Sequence, residues 1–285
     1  MIASKVELAR NGEAHGCAVA AVNILDELSS PVIVQVSVKT AWTIGVDLMT
    51  KTFAGAGTSA PVPVALDLDH CPDRRIIAEV VRAGWSSVLF DASDRDLAQP
   101  QAQPEAESDT AEVVALAHAV GVDVESEIEN IIGMEDGVGS DVAVHSYSVD
   151  VLAEVAERTG ADLIAPRLGT AHGEHKSSPV LLLERVQELS RLTDAHRAAR
   201  GHGPDRERLP LLHRRRRLEG QHLDRPEACL HAVSARLTCA RPRSRAGWDP
   251  PSEFADITRA VKAEVLKRLE IFGSAGHADG AATSR

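Results

Sequence analysis

Aromatic side chains are scarce in this chain: three Trp, one Tyr and four Phe among 285 residues. Hydrophobic residues still reach 44%, so a sizeable core is available, but it has to be aliphatic, built from Val, Leu, Ile and Ala. No run of about 18 apolar residues occurs, so no membrane span is expected. The opening stretch MIASKVELARNGEAHG lacks the apolar centre of a secretory signal. The four cysteines (Cys17, Cys71, Cys229 and Cys239) are scattered without CxxC spacing. They read as free thiols of a cytoplasmic protein and not as a disulfide framework.

Lysine is missing from Arg197 to Arg245, where thirteen arginines face five acids. That segment carries +8, so the net charge of −11 leaves −19 on the remainder. An acidic body argues against a nucleic-acid partner. From about Arg214 to Pro251 no clean period of a strand or helix is visible. Three readings stay open for 214–251: a basic tail or nucleic-acid patch, a solvated linker, or a stretch out of register with the coding frame. The last is preferred, because a GC-rich gene read in a wrong frame yields such Arg-, Pro- and Ala-rich sequence.

Elsewhere short β-rich runs alternate with helical patterns. Strands are expected at Ala18–Asn23, Pro31–Ser37, Val62–Asp69, Ser87–Ser93, Val122–Ile128 and Asp162–Leu168. Helices are expected at Asp73–Ala83, Asp109–Val120, Ser148–Thr159, Pro179–Leu192 and Ser252–Phe272. In the last, Ile257, Val261, Val265, Leu269 and Phe272 share one face. Gly84, Gly121 and Gly160 each stand between a helical run and a strand, where a helix end needs a residue tolerant of positive φ. Strand, helix, glycine, strand, repeated, is the pattern of a parallel sheet. A (β/α)8 barrel is the preferred fold, with a doubly wound open sheet as the alternative. Its single domain spans 1–276, followed by a disordered tail, 277–285. Only seven residues separate Asn23 from Pro31, fewer than the ten to twelve or so of a parallel crossover. Either these strands are not parallel neighbours or a helix has been lost between them. No eighth strand is evident, so the barrel is expected to be incomplete.

Chemistry-bearing residues gather at strand ends, where a parallel barrel places its active site. Asp67, Asp69 and His70 end the aliphatic run VPVALDLDH. Successive strand residues face opposite ways, so Asp69 and His70 share a site only where the strand bends. The competing reading is a helix-capping Asp and a surface His. Glu125, Glu127 and Glu129 alternate in VESEIE, which puts three carboxylates on one face. A bound or partner cation relieves their repulsion; an exposed strand end is the alternative. GTAHGEHK (169–176) holds His172, Gly173, His175 and Lys176. His172 suits a metal, Gly173 and Lys176 a phosphate, and a plain loop is the competing reading. His213 ends the apolar run LPLLH; a third strand-end imidazole completes a usual catalytic zinc set. The remaining histidines (His15, His118, His145, His196, His202, His222, His231 and His277) read as surface residues.

Taken together, LDLDH (66–70), FDAS (90–93), VESEIENIIGMEDG (124–137), GTAHGEHK (169–176) and IFGSAG (271–276) resemble, in order and spacing, the class II zinc-dependent aldolases of fructose- or tagatose-bisphosphate type. Asn23 and QVS (35–37) match the family's first two strand ends. The resemblance covers most of 1–213 and 252–276. It implies a (β/α)8 barrel that cleaves a phosphorylated ketose. His70, His172 and His213 would be the Zn2+ ligands, and Glu127 an alternate or supporting metal carboxylate. Asp69 would move the proton of the substrate oxygen at the cleaved bond, and Glu135 one near the ketose-derived carbon. Gly173 would offer an amide to the phosphate, with Lys176 nearby, while Asn23 and Ser37 would line the pocket. The resemblance also implies a homodimer or homotetramer, with no membrane or nucleic-acid partner. Departures are visible. Arg214–Arg217 stand where the family has glycines, and the family's KINxxT motif, which with them binds phosphate and a monovalent cation, is absent. Glu129 and Ile132 also replace usual glycines. A zinc-binding but catalytically impaired relative is therefore the alternative function.

Overall fold

A computed structural model describes residues 2–17, 19–22, 31–93, 102–129, 132–135, 138–140, 147–169, 171–172, 182–189, 191, 250–274 and 276–277. Its strands are β1 Ala20–Val22, β2 Val32–Ser37, β3 Val64–Cys71, β4 Ser87–Asp91, β5 Asp123–Glu127, β6 Ile132–Glu135, β7 Val138–Ser140, β8 Leu163–Ile164 and β9 Ala171–His172. Its helices are α1 Lys5–Ala14, α2 Val38–Ile44, α3 Val46–Ser59, α4 Arg74–Arg82, α5 Ala102–His118, α6 Val149–Thr159 and α7 Pro250–Phe272. Helical turns also run over 183–189.

The main sheet has the order β1-β2-β3-β4-β5-β8. Every neighbouring pair in it is parallel. A doubly wound sheet reverses its strand order at a switch point. This one advances in a single direction, as a (β/α)8 barrel does. β1 and β2 are paired in parallel from Ala20↔Val32 to Val22↔Val34. That overturns the option that they are not neighbours. The residues that join them, 23–30, and the irregular segment 214–251 lie outside the described residues.

Each strand divides its side chains between two environments. Val32, Val34, Val36, Val64, Leu66, Leu68, Val88, Phe90, Val122 and Val124 face the helices in one core, mostly aliphatic but with Phe53 and Trp85 also in it. Burying one such side chain stabilises the fold by about 1.5–3 kcal/mol. Val265 and Leu269 of α7 join that core, as the helical face predicted. The alternate residues face the barrel axis. At the N-terminal end of the strands, Leu8 of α1 packs on Val19, Ile33 and Ala65. α1 is fixed there by Ser4, whose side chain forms a capping box with Glu7 and also bonds Asp123. Asp123 further accepts from Val6 N at 2.9 Å.

Gly84, Gly121 and Gly160 take φ of 79°, 78° and 75°, so the helix ends read from sequence are left-handed turns. Three helices were not legible. α1 is short and polar, α2 is rich in Thr and α3 in Thr and Gly, both poor helix formers. The expected strand Asp162–Leu168 shortens to Leu163–Ile164. His118 is not a surface residue: its Nε2 lies 2.7 Å from Asp162 Oδ2, and both side chains are 14% exposed. Cys17 and Cys71 are free thiols. Among the described residues no helix is long and apolar enough to cross a membrane.

Candidate metal and catalytic site

Four strand ends line up at the C-terminal end of the sheet. In register, Ser37 of β2 stands beside Asp69 of β3, and Asp91 of β4 beside Glu127 of β5. Ala92 N donates to Glu127 O at 2.9 Å, which continues that pairing past the strand end.

β3 does not stay regular to its end. Its register with β4 shifts between Leu68 and Cys71, and His70 has φ +42°, the one positive value for a non-glycine among the described residues. Such a conformation costs a non-glycine roughly 1–2 kcal/mol. The bend cancels the strict alternation, so Asp69 and His70 reach the same place, as the sequence required of a shared site. The cap of the following helix is Asp73, whose side chain accepts from Arg75 N. Asp69 is thereby released from the capping role.

His70 Nδ1 lies 2.7 Å from Glu127 Oε2 and 3.9 Å from Asp91 Oδ2. His70 Nε2 lies 4.0 Å from Asp69 Oδ1. Asp69 Oδ1 also accepts from Gln35 Nε2 at 2.9 Å. Asp91 accepts from Ser93 N at 2.9 Å and from Ser93 Oγ at 2.6 Å. Glu127 is 2% exposed. Burial alone would push the His70 imidazole down. The nearby carboxylates of Asp91, Glu127 and Asp69 more than reverse this and raise it to about 12. Burial likewise pushes Asp91 up, but the nearby His70 imidazole and the two Ser93 bonds hold it below the usual carboxylate range.

One potential ligand atom from each of His70, Asp91 and Glu127 lies within 4.8 Å of the other two. Imidazole nitrogen and carboxylate oxygen are zinc donors. Three acids around a single imidazole leave excess negative charge in a largely buried place, which a divalent cation balances. The residues present fit such an ion.

Comparison with known proteins agrees with this geometry. The family model described as fructose-bisphosphate aldolase class-II matches residues 8–277. This chain belongs to that family. A fructose-bisphosphate aldolase of Thermus caldophilus is 29% identical over an alignment of 314 positions, gaps included, that covers 98% of this chain and 100% of that protein. The 6-phospho-5-dehydro-2-deoxy-D-gluconate aldolase of Bacillus licheniformis is 29% identical over 220 residues, covering 77% of this chain and 72% of its own length. The solved YdjI aldolase of Escherichia coli K12 shares the fold, with a TM-score of 0.71 at 21% identity over 98% of this chain and 100% of that one. The family is a (β/α)8 barrel, generally zinc-dependent, and membership makes this chain an aldolase-type lyase.

Of the residues singled out by sequence, the structure brings Asp69, His70 and Glu127 together, with Ser37 in register beside Asp69. Ser37 also caps α2, accepting from Thr40 N at 3.3 Å. The backbone of His172 lies on β9, opposite Gly133 of β6. That of Glu135 ends β6 opposite Val138. Asn23, Gly173, Lys176 and His213 lie outside the described residues.

Asp67 is a correction. It stands two residues before Asp69 and takes no part in the cluster. It is fully buried against Lys5 Nζ at 2.7 Å and Ser87 Oγ at 2.6 Å. The three alternating glutamates likewise separate: Glu125 meets Lys5 at 2.6 Å, Glu127 meets His70, and Glu129 meets Arg185 at 2.7 Å. Sequence reasoning missed Asp91, although FDAS put it at a strand end. It also missed Gln35, Lys5 and Arg185, whose partners are remote in sequence.

Proposed function

We propose that this chain is a zinc-dependent ketose-bisphosphate aldolase. It reversibly cleaves fructose 1,6-bisphosphate, or its epimer tagatose 1,6-bisphosphate, to dihydroxyacetone phosphate and glyceraldehyde 3-phosphate. The observation that carries this reading is the cluster of His70, Asp91 and Glu127 with Asp69 at its edge, at the barrel end where the catalytic groups of this fold sit.

Bound zinc supplies a Lewis acid for the ketose carbonyl and hydroxyl oxygens. His70 holds it, with Glu127 and Asp91 beside that ligand and His172 and His213 as the further imidazoles. Asp69, oriented by Gln35, takes the proton of the C4 hydroxyl as a general base. The C3–C4 bond then breaks, and its electron pair stays on the C3 side next to the carbonyl. Glu135 returns a proton to that carbon. The amide of Gly173 and the ammonium of Lys176 meet a phosphate, and Asn23 and Ser37 line the pocket. No lysine Schiff base is needed. The reading places the enzyme in the cytoplasm, in glycolysis or related carbohydrate metabolism, as a homodimer or homotetramer. A monovalent cation has no matching KINxxT motif here and is not part of the proposal.

The Bacillus licheniformis relative named for a phosphorylated deoxyketogluconate makes that compound the competing substrate. A coupled assay with each bisphosphate and with that compound, run with and without a chelator, tests the reading. Zinc-dependent cleavage of a ketose bisphosphate supports it. Stoichiometric zinc without cleavage of any of the three identifies a zinc-binding relative that has lost turnover.

A further inference from the structure

We propose that Glu129 and Arg185 form a positioning pair, which fixes the two segments that bring β6 and β9 together at the barrel rim. Its kinetic consequence rests on the aldolase reading; its structural consequence does not.

Glu129 lies two residues beyond β5 and is 0% exposed. Its Oε1 accepts from Tyr147 N at 2.7 Å. Its Oε2 accepts from Arg167 N at 2.8 Å. Arg185 Nη2 donates to both oxygens, at 2.7 and 2.8 Å. Arg185 Nη1 donates to Tyr147 O at 2.6 Å. One carboxylate thus joins the exit of β5, the entry to α6, the exit of β8 and the helical turns at 183–189.

The placement of these bonds in the chain is what gives them meaning. Residues 130–146 leave from Glu129 and return at Tyr147. Residues 168–184 leave from Arg167 and return at Arg185. Both excursions therefore start and finish at this one ion pair. The first contains β6 and the second β9, and these two strands pair with each other, Ile132↔Ala171 and Gly133↔His172. Holding the ends of each excursion in place lowers the entropy lost when the two strands meet.

A plain stabilising role fits less well. Apolar residues of similar volume usually stabilise a buried position as well as an ion pair does. They cannot accept from two backbone amides. The carboxylate gathers amides from two different rim segments, and the fork of Arg185 fixes its orientation. β6 ends at Glu135 and β9 contains His172, two residues given chemical roles above. Glu129 and Arg185 act through these strands and not on substrate.

Hydrogen exchange read by mass spectrometry on the full-length zinc-loaded protein tests the pair, in wild type, Glu129→Gln and Arg185→Met. The expected result is exchange about tenfold faster in peptides covering 132–135 and 171–172, with β2 to β5 unchanged. Arg185→Lys keeps the charge and loses the fork, so it is expected to fall between wild type and Arg185→Met even if the harsher variants fold poorly. Alongside, kcat is expected to fall about 10²-fold in Glu129→Gln, with zinc content retained. Faster exchange confined to residues 147 and 167 overturns the proposal. So does a uniform increase across all strands, which would make the pair a general stabiliser. If wild type cleaves no ketose bisphosphate, the aldolase reading fails, while the exchange pattern still decides the pair.

Discussion

The two ends of the barrel interior treat the same kind of residue differently. Near the N-terminal end, Asp67 of β3 and Glu125 of β5 close on Lys5 at 2.7 and 2.6 Å. Two residues further along the same strands, Asp69 and Glu127 close on His70. Burial by itself would push the Lys5 ammonium down, yet Asp67 and Glu125 hold it well above the ordinary lysine range. It is a permanent cation on a tethered helix, with no lone pair to offer a metal. Imidazole, once deprotonated, becomes a ligand. The lower acids thus share a fixed cation from within the chain, while the upper ones surround a group that can give up its proton and ligate a metal. Glu129 repeats the lower solution with Arg185. Of the three alternating glutamates, only the middle one faces a cation that can change its charge.

The largest expected break in this contrast is at Asp69. Asp69→Asn keeps a partner for Gln35 but removes the base, so kcat falls about 10²–10⁴-fold with zinc content retained. Steady-state kinetics with metal analysis measures both. Loss of the zinc together with the rate would move Asp69 from proton transfer to metal binding. At the other end, Lys5→Met strands the buried Asp67 and the half-buried Glu125 and is expected to cost about 3–5 kcal/mol in urea unfolding. Zinc binding should survive in the folded fraction. If Lys5→Met left stability unchanged, the lower network would not be the lasting ion pair described here.

Smaller changes sharpen the picture. Glu127→Gln should weaken zinc about 10–100-fold, read by competition with a chromophoric chelator; an unchanged affinity would take Glu127 out of the cluster's role. Ser87→Ala removes the hydroxyl that bonds Asp67 at 2.6 Å. It should cost about 1 kcal/mol of stability and nothing in zinc affinity. A change in zinc affinity there would mean that the two ends are energetically coupled.

Much of this was legible in the sequence because it depends on local pattern. Aliphatic runs ending in LDLDH and FDAS marked strand ends, and Gly84, Gly121 and Gly160 marked helix ends. Even the bend at His70 followed from asking how adjacent residues share a site. What was not legible depends on register between distant segments. Nothing local to Lys5 says that it reaches Asp67, and nothing near Arg185 points to Glu129. The three-glutamate pattern foretold a need for cations without telling which cation each acid receives. Asp91 was visible as part of a motif but acquired a role only when β4 set it beside Glu127.

On the proposed function, the upper cluster and not the lower holds a divalent ion. Anomalous diffraction at the zinc edge from zinc-loaded crystals tests this most directly. A peak about 2.0–2.1 Å from a ring nitrogen of His70 is the predicted result. A peak elsewhere in the barrel, or none at His70 in fully loaded protein, would contradict it.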